Sequence, residues 1–171
     1  MSNFKNTPIP VQNSTQLKKL FDSYWEILLN ARVEHPSRVQ QDLMTWRRGS
    51  AQMVLRVNPT LGNVTIYSVL VSGVDPTEKL YRYLLAYNSL QRKECMGLAE
   101  KNGTFSVVMK YTLELELGLP SVIQRHVFQL QEIADDLDTE LAEMFGGSLH
   151  YNDWNKMSQS DVDTLIGDLF G

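Results

Sequence analysis

Three histidines, one cysteine and a run of acids are the residues whose chemistry is worth testing first. His35, His126 and His150 each lack a second His, Cys or acid at ligand spacing, so no metal site is read from them. His126 falls on the apolar side of a helical pattern and reads as a packing residue, whereas His35 and His150 fall in loops. Cys95 is the sole cysteine. It could act as a nucleophile only with a histidine beside it in space, and its place at the start of a strand pattern reads instead as a buried structural thiol. Asp135, Asp136, Asp138 and Glu140 offer paired carboxylates for acid–base work, but a charge run on a helix reads first as its solvated face. Tyr81, Arg82, Tyr83 and Tyr87 form an aromatic and basic cluster. Base stacking on it would call for a richer basic field than this chain has, and aromatic rings with a polar tip favour a protein interface. No catalytic residue, cofactor or metal is assigned.

The elements that position these residues follow from periodicity. Residues 1–12 are polar, with Pro8 and Pro10, and read as a flexible lead-in. From Asn13 or Ser14, each able to cap, Leu17, Leu20, Phe21, Tyr24, Leu28 and Ala31 line one face of a first helix. Trp25 and Ile27 widen its stripe beyond what one buried seam needs. After Pro36, the intervals of Val39, Leu43 and Trp46 predict a short helix, while LMTWRR also reads as a strand.

Met53, Leu55 and Val57 alternate with polar residues, and NVTIYSVLVSGV is apolar on both parities. These two runs predict a hairpin with a doubly covered second strand. Asp75, Pro76 and Glu78 predict the start of a second helix, with Leu80, Leu84, Tyr87 and Leu90 inward and Tyr81, Tyr83 and Leu85 on its flanks. Asn102–Gly103 joins two further strands. In the second of them Phe105, Val107, Met109, Tyr111 and Leu113 face one way. Ser121 and Gln124 predict the start of a long third helix bearing Ile123, Val127, Leu130, Ala134, Leu137, Leu141 and Met144, and Gly146–Gly147 its stop. Beyond a polar linker, Val162, Leu165, Ile166, Leu169 and Phe170 recur at helical spacing. That final stretch reads as docked on its own domain, joined to a dimer partner, or laid into another protein's groove.

The run LLAYNSLQRKECMGLAEKNGTFSVVMKYTLELELGLP resembles the YbjN family, whose fold is shared with the chaperones of type III secretion systems. The likeness lies in a helix ending in Leu-x-x-x-Asn, a strand with Gly or Phe, a short turn and an apolar strand. It covers residues 13–147, with 148–171 as linker and short C-terminal helix. The resemblance implies an α+β fold, a twisted antiparallel sheet packed with helices in the order α-β-β-(β)-α-β-β-α, often assembled as a dimer, with no catalytic residues to carry over.

Composition agrees with a globular chain: 171 residues, 43% hydrophobic and 21% charged, with a net charge of −4. That charge argues against a general affinity for nucleic acid. The opening residues lack a signal peptide's basic start and apolar run, and no window approaches the roughly 20 apolar residues of a membrane span. The expected protein is therefore a cytoplasmic, non-enzymatic homodimer that holds a segment of a partner protein, with Trp25, Ile27, Tyr81, Tyr83, Val162, Ile166 and Phe170 as candidate contacts. The competing reading is a small-molecule-binding regulatory module, or an enzyme whose site is assembled from scattered residues.

Overall fold

The computed structural model describes residues 14–30, 33–90, 92–115 and 120–149. The elements are α1 (Ser14–Asn30), β1 (Glu34–Arg38), β2 (Leu43–Arg48), β3 (Ala51–Asn58), β4 (Asn63–Ser72), α2 (Glu78–Ser89), β5 (Cys95–Lys101), β6 (Thr104–Glu114), α3 (Pro120–Phe145) and β7 (Ser148–Leu149). The strands form one antiparallel sheet in the order β1-β2-β3-β4-β6-β5, with β7 added beside the end of β4.

One face of this sheet meets all three helices. Register puts Met44 and Trp46 of β2 beside Leu55 and Met53 of β3, Ile66 of β4 beside Tyr111 of β6, and Met96 of β5 beside Met109. These side chains and those of Leu20, Tyr24 and Leu28 of α1, Leu80 and Leu84 of α2, and Ile123, Val127 and Leu130 of α3 make a single core. α3, about seven turns long, buries its predicted stripe, with Leu137 and Met144 at the margin. Trp46 donates its indole N–H to Gln131 Oε1 at 3.3 Å, so a buried polar ring atom is satisfied by the helix above it. Along β4 a bulge at Leu70 breaks the pairing with β6 between Val69 and Val71. Both Leu70 and Val71 then enter the core.

Two hairpins form where alternation predicts them, β3–β4 and β5–β6. The second turns on Asn102 (φ 50°) and Gly103 (φ 78°), the positive angles that an Asn-Gly turn accommodates. Three local expectations are corrected. The predicted helix after Pro36 is instead β1 and β2: apolar residues on both faces of β2 disguise a period of two as a helical interval. Thr77, not Asp75, caps α2, its Oγ1 accepting from Leu80 N at 3.3 Å, so Pro76 lies before the helix. α3 begins at Pro120, which places Ser121 inside its first turn rather than at the cap.

Candidate protein-binding site

α2 is the element with most apolar surface left over. Its inward residues Leu80, Leu84 and Tyr87 are buried, but Tyr81 is 46% exposed and Leu85, one turn on, 70% exposed. Leu90, expected on the inward face, is 62% exposed, because the helix ends at Ser89 and Leu90 caps it outside the packed turns. Tyr83 is half-buried on the flank toward α3, edge-on to Phe145 with ring centroids 5.4 Å apart. Between α2 and α3 runs a groove of about 620 Å³, lined by Tyr83, Leu90, Ile133 and Leu137 with Arg92 and Glu140 at its rim.

The end of α2 is tied to β5 by a contact that sequence reasoning did not assign. Asn88 donates Nδ2 to Met96 O at 2.9 Å, and its Oδ1 accepts from Met96 N at 2.8 Å. A side-chain amide thus occupies the outward backbone groups of β5 as a neighbouring strand would. The same alternation turns the outward N–H and C=O of Leu98 and Glu100 to the sheet edge, where, among the described residues, β5 has no strand neighbour but β6. The opposite edge strand, β1, is short, contains Pro36 and is bulged at His35 (φ 48°). Those features blunt an edge against pairing; β5 carries none of them.

The candidate contacts separate. Ile27 is 2% exposed and part of the core. Trp25 is half-buried against that core, with the Arg38 guanidinium 4.8 Å over its ring. Arg38 also meets Asp22 at 2.6 Å, and this hydrogen bond, helped by Lys18, holds the Asp22 carboxyl below the usual carboxylate range. The pair borders a cleft of about 600 Å³ beside Leu17 and Phe21. Tyr81 and Tyr83 belong instead to α2. Val162, Ile166 and Phe170 lie outside the described residues, as does His150.

The chemistry-bearing residues divide between surface and core. Cys95, expected to be buried, is exposed, because it starts an edge strand and points away from the helices. The acidic run is not a uniformly solvated face. Asp136 and Glu140 are exposed, but Asp138 is fully buried and accepts from Ser50 Oγ at 2.6 Å and Thr139 Oγ1 at 3.1 Å. Asp135 Oδ1 accepts from Ser50 N at 3.2 Å. Together they receive the β2–β3 turn, and burial pushes the Asp138 carboxyl upward in pKa. His126 is 5% exposed, as a packing residue should be, and its Nε2 lies 3.1 Å from the Tyr111 hydroxyl. Burial, with Lys93 and Arg125 nearby, lowers its pKa. His35 stands in β1 rather than in a loop. Among the described residues, no group of three or more His, Cys, Asp or Glu could hold a metal ion, and no helix is long and apolar enough to cross a membrane.

A protein-family model described as type III secretion system (YopN, CesT) and YbjN peptide-binding chaperone 1 matches residues 24–153. The chain belongs to this family. As a peptide-binding chaperone of the YbjN and secretion-chaperone group, it is a protein-binding module that holds a segment of a partner. The crystal structure of the ExsC–ExsE complex contains a chain of the same fold, 11% identical, with a TM-score of 0.58 over 74% of this chain and 93% of that one. No curated protein matches the chain. The family's Leu-x-x-x-Asn pattern falls here on Leu84 and Asn88, so its asparagine is the residue that clamps β5 to α2.

Proposed function

We propose that this family member holds an extended partner segment along the α2 side of the molecule, with apolar side chains seated in the α2–α3 groove. The observation that carries the reading is the groove itself, where half-buried Tyr83 and the 62% exposed Leu90 stand against Ile133 and Leu137 of α3, while exposed Tyr81 and Leu85 lie on the other flank of α2. Apolar burial supplies the affinity. The outward backbone of Leu98 and Glu100 adds strand pairing where the segment is extended. The protein acts without catalysis, in the cytoplasm and as a homodimer. Trp25 contributes by holding α1 to β1 rather than by touching the partner.

The test is selection of peptides from a displayed random library against the full-length protein, followed by titration. Enriched peptides bind the wild type and weaken about tenfold or more with Tyr83→Ala, the effect of losing one anchor of roughly 1.4 kcal/mol. Affinity for Arg38→Ala, on the far side of the molecule, stays unchanged. Failure to enrich any peptide, or equal affinity for Tyr83→Ala, overturns the reading. Light scattering across a concentration series checks the dimer, and a monomer at all concentrations removes that part.

A further inference from the structure

The second face of the sheet is covered, and no described helix covers it. Six buried apolar residues stand outside the single core: Leu43, Val54, Tyr67, Val69, Ala99 and Val108. Register places all six on the face away from the helices. Val54 lies beside Tyr67, Val69 beside Val108, and Leu43 and Ala99 share their parity on β2 and β5. A sheet face open to water leaves alternate side chains well exposed, since strand neighbours shield only their flanks. Leu43 and Val54 are 1% exposed and Tyr67 4%. Arg47, Tyr67, Ser72, Lys101 and Lys110, on the same face, each engage a polar, ring or electrostatic partner.

We infer that the occupant is this chain's own C-terminal segment, residues 150–171, turned back across the face from the end of β7. Three observations select it. The first is the exit. Ser148 and Leu149 pair with Ser72 and Val71 of β4, and the next positions along that side of β4 already belong to β3, whose ladder starts at Gln52 beside Val69. The chain must leave the plane of the sheet after Leu149. The second is pattern. Val162, Leu165, Ile166, Leu169 and Phe170 would form an apolar stripe about 12 Å long at helical rise, which fits within the roughly 19 Å across five strands. The third is charge. The segment carries Asp153, Asp161, Asp163 and Asp168 against one lysine, and the face is rimmed by Arg47, Arg56, Lys101 and Lys110.

This inference does not rest on the held partner segment, whose proposed surface is the α2 side. Its test uses Cys95, the sole cysteine, exposed at the margin of the same face. A short photoactivatable cross-linker is attached to Cys95 of the full-length chain, mixed with isotope-labelled chain so that links within and between molecules differ in mass. The expected result is links within one molecule to residues 150–171. Links to residues 1–13, links only between molecules, or links confined to the sheet overturn the inference. In full-length Ile166→Asp/Phe170→Asp, carbene labelling of Tyr67 and Val69 rises several-fold. Unchanged labelling overturns it too, and because no partner peptide is present, neither result bears on the proposed function.

Discussion

The Asn88 side chain holds Met96 by both backbone groups, donating to its carbonyl at 2.9 Å and accepting from its N–H at 2.8 Å. One amide therefore joins the end of α2 to the start of β5 and closes the first outward pair of an otherwise open strand edge. Asn88→Ala removes both bonds and leaves two backbone groups to water. A loss of about 1–2 kcal/mol in urea denaturation is expected. Asn88→Asp keeps the acceptor but sets a carboxylate oxygen against the Met96 carbonyl, so it also destabilises. Wild-type stability in Asn88→Ala would show that water replaces the clamp without cost.

Gly49 stands at φ +54° in the β2–β3 turn, and a Cβ there would overlap Asp135 Oδ1. Gly49→Ala is expected to lose about 2 kcal/mol or more, from backbone strain and displacement of the carboxylate that receives Ser50 N. Adding Asp135→Ala to it should cost less than that change costs in the wild type. Additive losses in the double-mutant cycle would separate the two effects.

His126 gives the protein an acid-sensitive step. Its pKa is lowered in the fold, chiefly by burial, so the unfolded chain binds the proton first as pH falls. The folded state is unpenalised above the ordinary histidine value near 6.5 and loses stability as pH drops below it, down through the lowered folded value. Asp138, raised by burial, works in the opposite sense nearer the carboxylate range, where the folded state takes its proton first. Melting temperature should fall on acidification below about pH 6.5, and His126→Gln should flatten that slope. An unchanged slope would assign it to other groups.

Leu85 is 70% exposed on α2, so Leu85→Glu should leave stability within about 0.5 kcal/mol. Its effect is expected in self-association or peptide binding, read by light scattering and titration. A large loss of stability would place Leu85 in the core.

Trp25 packs under Arg38 and against the core. Trp25→Asp should destabilise by about 2–4 kcal/mol, the range for removing a large partly buried ring and burying a charge beside it. Retention of full stability would return Trp25 to the surface as a candidate contact.

The sequence by itself determined what depends on near neighbours. Helical spacing gave α1 and α3 their buried stripes, alternation and Asn102–Gly103 produced the β5–β6 hairpin, and Leu84-x-x-x-Asn88 carried the family resemblance, because each pattern reports on residues within a turn or a pleat. Tertiary structure decided the rest. β2 is a strand because β1 and β3 pair with it on either side, and burial of both its faces erases the alternation that would have announced it. Asp138 is buried because Ser50, 88 residues away in the chain, brings the turn to it, and no local pattern marks a carboxylate for that. The use of Asn88 likewise became visible only when β5 lay against α2. Burial of the second sheet face is the furthest removed from sequence, since it follows from what packs across five strands rather than from any residue along one of them.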